Sequence, residues 1–302
     1  MTTRKIAAET NGPITIDATL LGHGGSVSVR ADASCERATL TVSTVDEDGP
    51  AAEAVRNATL RQTLKGLHVN VQGDGGTTGG TTIISGGGRG MTIVQTAGNV
   101  TGTMIGYQGG VIGGDMIVNG VRVSGGATVI QGSSPIEIVA VVPEGSSAIG
   151  HTQSASIDAL GALLNVTADT QSGSVRTGHV AKVNANTQSG SVVVEQAADI
   201  TAKTMSGSIR LGRTDVVNAN TMSGSVQIAD FGGTARIKTM SGSVRVHATA
   251  GGDIDANTMS GSITVTATDT ALAEDLDVRP HSMSGRISVP SRRTGSSGPR
   301  RR

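Results

Sequence analysis

The chain has 302 residues, sets 24 Lys and Arg against 24 Asp and Glu, and holds 44 Gly, one Tyr, one Phe, no Trp and a single cysteine, Cys35. A net charge of zero excludes a chain-wide pull toward nucleic acid or an anionic membrane. One cysteine excludes an internal disulfide and a cysteine-built zinc site. With so few aromatic residues the interior has to be thin and filled by Val, Ile, Ala and Thr, which suits stacked β-coils better than a layered helix-and-sheet domain.

Taken in order, the opening MTTRKIAAETNGPITID lacks the apolar core of a signal peptide, and no apolar run approaches the roughly 20 residues that cross a bilayer. These features set cytoplasmic as the expectation, with export by a route that reads no N-terminal signal as the alternative. Residues 1–72 read as a small β-rich region. Ile14, Ile16, Ala18 and Leu20 alternate with polar residues, as do Val27 and Val29, Leu40 and Val42, and Leu67, Val69 and Val71. Pro50 to Ala58 reads as one short helix with proline in its first turn. The acids before it, Asp46, Glu47 and Asp48, fit a solvated turn at a helix start better than a cation site.

Residues 73–133 change character: twenty of the sixty residues from 73 to 132 are glycine. No lysine follows these glycines in a phosphate-binding pattern, and no helical periodicity follows them, so nucleotide binding is set aside. The block reads as an irregular β-coil with glycine at each bend, or as an insertion. Residues 134–290 then carry a regular beat, opened by the strand IEIVAVVPEG at Ile136. Residues 291–302 are expected to form a disordered basic tail, with Arg300, Arg301 and Arg302 offering a weak anionic contact.

The regular beat is a repeat. TQSGSV begins at Thr170 and Thr187, TMSGSI or TMSGSV at Thr204, Thr221, Thr239 and Thr258, and SMSGRI at Ser282, with a degenerate TQSASI at Thr152. From 154 the aligned positions step by 18, 17, 17, 17, 18, 19 and 24 residues. A period this short predicts an all-β chain built as a parallel β-solenoid, with coils of about 17 residues. The glycines Gly173, Gly190, Gly207, Gly224, Gly242, Gly261 and Gly285 take the corners, where they supply backbone freedom.

Around Ser223, alternation turns Val217, Ala219, Thr221 and Ser223 inward, Asn218, Asn220 and Met222 outward, and then Val226 and Ile228 inward. One outward column is Arg176, Val193, Arg210, Gln227, Arg245, Thr264, Ser288. Another is Asp169, Asn186, Lys203, Asn220, Lys238, Asn257, His281. In both, cations are separated by neutral residues, as stacked like charges require, and the asparagines are expected to bond along the stack. A third column is Gln153, Gln171, Gln188, Met205, Met222, Met240, Met259, Met283. Parity places it outside, as a contact face. The other reading puts these methionines inside, against which stand the glutamines at equivalent positions.

Catalytic chemistry is not visible. The six histidines show no metal-ligand spacing and read as surface or turn residues. The HGGS at His23 has no G-x-S-x-G nucleophile to serve. The acids Asp169, Glu195, Asp199, Asp215, Asp230, Asp253 and Asp255 fall at different coil positions, without a column of two adjacent ones. No cofactor, metal site or specific nucleic acid is expected.

The T-x-S-G-S-V/I repeat, the opening PITIDATLLGHGGSVSVRAD and the strand PIEIVAVVPEG resemble the bacterial putative-adhesin β-strand-repeat family, a domain of unknown function, over most of residues 13–72 and 134–289. The Gly-rich block departs from that pattern. The resemblance implies a β-solenoid. More distantly, coils of about 17 residues look like those of bactofilins, cytoplasmic polymer-forming solenoids. The reading is therefore a non-catalytic scaffold or assembly module that presents flat, repeated faces to itself or to another protein. An adhesin or surface appendage is the first alternative. A carbohydrate-active enzyme, which needs a carboxylate cluster not visible in the spacing and would be tested by replacing Asp253 and Asp255, is the second.

Overall fold

The computed structural model describes residues 1–64, 66–72, 82–87, 90–95, 116–118, 121–123, 128–130 and 134–290. The chain divides into two compact units, one of Met1–Ala159 with Thr170–Gly173, the other of Leu160–Asp169 with Ser174–Arg302.

In the first unit, β1 (Thr2–Ala7), β2 (Thr15–Leu21), β3 (Gly25–Ala31) and β4 (Thr39–Thr44) precede the helix α1 (Pro50–Asn57). Then come β5 (Thr59–Thr63) and β6 (Gly66–Gln72). Pro50 opens the helix, where its missing N–H costs nothing, and Gly49 enters it at φ 98°, open to glycine and hardly to other residues. Ala51, Ala52, Ala54 and Val55 are its buried face. The preceding acids are already engaged: Glu47 with the N-terminal amine, Asp48 with Arg56, and Asp46 accepting from Ser134 Oγ. The edge strands β1 and β5 carry too few apolar residues to announce themselves in the sequence.

Among the described residues of the Gly-rich block there are five strands: β7 (Thr82–Gly87), β8 (Gly90–Gln95), β9 (Met116–Val118), β10 (Val121–Val123) and β11 (Thr128–Ile130). Their pairings, β7 with β8 and β11 and β9 with β10, are all antiparallel. That is the geometry of hairpins, whereas successive coils pair in parallel.

After them, β12 (Ile136–Val142) lies between β3, parallel, and β4, antiparallel. The next strand, β13 (Ser147–Thr152), lies parallel to β2, which also pairs in parallel with β6. Alternation predicts this core correctly: Ile16, Ala18, Leu20, Leu40, Val42, Val69, Val71, Ile136, Ile138, Ala140 and Val142 have no exposed surface.

His23 corrects the expectation of an ordinary surface or turn histidine: in the bend between β2 and β3 it is only 2% exposed, and burial pushes its pKa below the usual value. The unfolded chain binds a proton here near pH 6.5, whereas the folded chain takes one only at lower pH. The unfolded state thus holds more protons in that window, so the His23 contribution is intact above about pH 6.5 and is lost as pH falls through it. Unfolding free energy measured against pH should fall off below that point, and His23→Gln should flatten the slope.

The second unit is a parallel β-solenoid. After β14 (Ser156–Thr170), its strands are β15 (Val175–Thr187), β16 (Val192–Thr204), β17 (Ile209–Thr221), β18 (Val226–Thr239) and β19 (Val244–Ser260). They continue as β20 (Ile263–Ala267), β21 (Leu276–Ser284) and β22 (Ile287–Ser288). Val175, Val192, Ile209, Val226, Val244, Ile263 and Ile287 stand in one register, which is the predicted repeat coil for coil. All but the last are fully buried, whereas Ile287, in the last described coil, is 41% exposed.

Each strand from β15 to β19 runs on through a second bend opposite the corner. The variable coil lengths are absorbed at that bend, where the register between β17, β18 and β19 shifts. The single phenylalanine, Phe231, fills the interior there between Thr214 and Ala248 in register. The 24-residue step contains a helical turn that sequence alone did not suggest, α2 (Asp269–Ala273). Thr268 Oγ1 caps it by accepting from the Ala271 N–H at 3.2 Å.

Candidate contact edge

The corner explains the motif residue by residue. In five coils the buried threonine hydroxyl accepts a hydrogen bond from the glycine N–H three residues on: Gly173 to Thr170, Gly190 to Thr187, Gly207 to Thr204, Gly224 to Thr221 and Gly242 to Thr239, at 2.9–3.1 Å. This satisfies a donor that the turn would otherwise leave buried and unpaired. In the Thr258 coil the Gly261 N–H donates instead to the Ser284 carbonyl, at 3.2 Å.

Glycine is required at the corner for a different reason than the one expected. None of the seven corner glycines has a positive φ, so backbone freedom is not what they supply. A Cβ on Gly207, Gly224 or Gly242 would lie 1.7 Å from the carbonyl oxygen of the glycine one coil earlier. For Gly261 and Gly285 the same distance is 2.1 and 2.0 Å, and a Cβ on Gly173 would meet the Ala155 carbonyl at 1.9 Å. The coils stack so closely here that a side chain cannot enter.

Two side-chain placements also differ from the alternation. Ser223 and its equivalents from Ser172 to Ser284 are exposed, because the chain turns at the serine and only the threonine before it and the glycine after it face in. The asparagines form no continuous ladder. In register Asn220 lies between Lys203 and Lys238, and Asn218 between Thr201 and Arg236, so neither of these asparagines has another as its neighbour.

The third column does face out. Met205, Met222, Met240, Met259 and Met283 are 49, 46, 46, 51 and 74% exposed, and Gln188 at the head of the series is exposed too. Backbone bonds hold the row in register: Ser206 N–H donates to the Gln188 carbonyl at 2.9 Å, Ser223 to Met205 at 2.8 Å, Ser241 to Met222 at 2.9 Å and Ser260 to Met240 at 2.9 Å. A shallow groove of about 270 Å³ runs beside it, lined by Met222, Met240 and Met259 on one wall and Asn220, Lys238 and Asn257 on the other. In the first unit, Gln171 is exposed, whereas the Gln153 side chain accepts from the Gly22 N–H at 3.0 Å and is tied down.

A second depression, of about 470 Å³, lies at the opposite bend. Its floor includes Leu163, Val180, Ala181, Ala197 and Ala198, and its polar groups are His179, Gln196, Arg213 and Asp215. His179, Gln196 and Arg213 stand in one register column.

The acids correct one expectation. Asp253 and Asp277 are direct neighbours in register, so two carboxylates do stack. Arg279 bonds Asp277 at 2.5 Å, and that hydrogen bond and charge, with the fields of Asp253 and Asp255, raise the Arg279 pKa. The guanidinium thus offsets the stacked charges, and both it and Asp253 are exposed to solvent. Among the described residues no group of three or more His, Cys, Asp or Glu could hold a metal ion.

A protein-family profile, Toastrack DUF4097, matches residues 113–298 of the chain. No curated protein matches it. Among solved structures, a putative adhesin from Parabacteroides merdae is similar at 12% identity, covering 96% of each chain, with a TM-score of 0.47. A putative lipid binding protein from Parabacteroides distasonis is similar at 12% identity, covering 96% of this chain and 97% of that one, with a TM-score of 0.45.

Proposed function

The chain belongs to the Toastrack DUF4097 family, domains of unknown function, and from that premise we propose that it is a non-catalytic interaction module whose methionine edge is its contact surface. One observation carries this: five identical, flexible apolar side chains stand 46–74% exposed in consecutive coils, although the same coils bury most of the Val, Ile and Leu they possess. Thioether side chains adapt their shape to whatever they meet, and a contiguous apolar row in solvent marks a surface that is covered in use. The catalytic alternative has less behind it, since the stacked Asp253 and Asp277 sit on an open face with an arginine between their fields.

Met222→Lys combined with Met240→Lys should leave the thermal midpoint within a few degrees of the parent, because half-exposed positions contribute little to folding. A variant that fails to fold would make the row structural and remove the proposal. Occupancy is read by oxidative footprinting of the full chain. In the purified protein the five methionines should oxidise readily, and in cells producing it they should be protected several-fold. Equal oxidation in both settings would mean that nothing covers the edge.

A further inference from the structure

We infer that what covers the methionine edge is an anionic lipid surface, an inference that rests on the contact reading above. The chain is neutral as a whole, yet its charges are sorted across each coil. Next to the methionine column on the strand side stand Asn186, Lys203, Asn220, Lys238, Asn257 and His281, and past the corner stand Arg176, Val193, Arg210, Gln227, Arg245, Thr264 and Ser288, with Arg286 at the last corner. Asp169 heads the strand-side column two coils before the first methionine, but from Asn186 onward neither column carries a carboxylate, nor do the corner positions between them. Along the chain the acid nearest to any of these methionines is Asp255, four residues before Met259. Among the described residues Lys203, Lys238, Arg210, Arg245 and Arg286 form no ion pair.

An apolar row with long basic side chains on both flanks is the pattern of a surface that lies at a membrane interface. There the apolar groups enter the headgroup boundary and the cations reach lipid phosphates. The uniformity of the row points the same way. A groove that reads a peptide needs different pockets at successive positions, whereas Met and Ser repeated coil after coil distinguish nothing along their length and suit a fluid partner. A second copy is a poor match, because the acids away from the edge have cations beside them and present no anionic strip: Lys182 pairs with Asp199, Arg213 neighbours Asp230 in register, and Asp255 lies between Arg236 and Arg279.

The test is flotation of the full chain with phosphatidylcholine vesicles and with a roughly two-to-one mixture of phosphatidylcholine and phosphatidylglycerol. The chain should bind the mixed vesicles and not the neutral ones, and added salt should release it. Lys203→Gln with Lys238→Gln should weaken binding roughly 25-fold, each basic side chain near an anionic leaflet giving a factor of about five. Met222→Ser with Met240→Ser and Met259→Ser should weaken it at least roughly tenfold. The methionine variant leaves every charge in place, the arginines of residues 291–302 included, so binding equal to the parent would overturn the inference in favour of charge alone. If the parent binds neither vesicle while its methionines are protected from oxidation in cells, the lipid occupant falls and the contact edge stands. If they are unprotected as well, both fall.

Discussion

Gly224→Ala should cost about 3 kcal/mol or more, an unusual loss for the addition of one methyl group. The new Cβ would sit 1.7 Å from the Gly207 carbonyl oxygen, 2.7 Å from its carbon and 2.8 Å from Thr221 Oγ1. None of these is the end of a flexible side chain. Relief requires moving backbone that the neighbouring coils hold in a ladder, so the coil interface itself has to open. In a stack where each repeat touches only its neighbours, that interface is the unit of stability. Hydrogen exchange at Ile209–Leu211 and Val226–Ile228 should accelerate around the substituted corner, and the urea midpoint should drop. Ser225→Ala, one residue away and exposed, should stay within about 0.5 kcal/mol. If the two variants behaved alike, close stacking would not be the reason for glycine.

Val226→Asp should be of comparable severity, several kcal/mol, by the opposite route of burying a charge without a partner. Val226 has no exposed surface and lies in register between Ile209 and Val244, themselves fully buried. No described basic side chain enters that column. The same change at Ile287, equivalent in register, should be mild, because at 41% exposure the carboxylate keeps its water. Thermal melts of the two variants side by side check this. An Ile287→Asp loss as large as that of Val226→Asp would mean that the last coil is covered in solution.

Much of the architecture was legible beforehand, because a solenoid writes its geometry in the period. Thr-x-Ser-Gly recurring about every 17 residues places residues such as Val192, Ile209 and Val226 one above another, and two-residue alternation then sorts Val217 and Ala219 from Asn218 and Asn220. The direction of the methionine row followed from the same parity, once the glutamine at its head was weighed. The far bend left no such trace. It tolerates insertions such as Gly232–Gly233 and α2, so its residues keep no fixed spacing, and the groove around His179 and Arg213 was invisible for that reason.

The sequence by itself thus determined the repeat, the inward and outward columns and the exposed methionines, since each depends only on spacing along one strand. Only the tertiary structure decided why the corner demands glycine, that Asp253 meets Asp277, and that the methionines share one groove with Asn220, Lys238 and Asn257. Those are relations between atoms in different coils or on opposite sides of a turn. Local periodicity carries no information about how closely two backbones approach or where a turn places the residues beyond it.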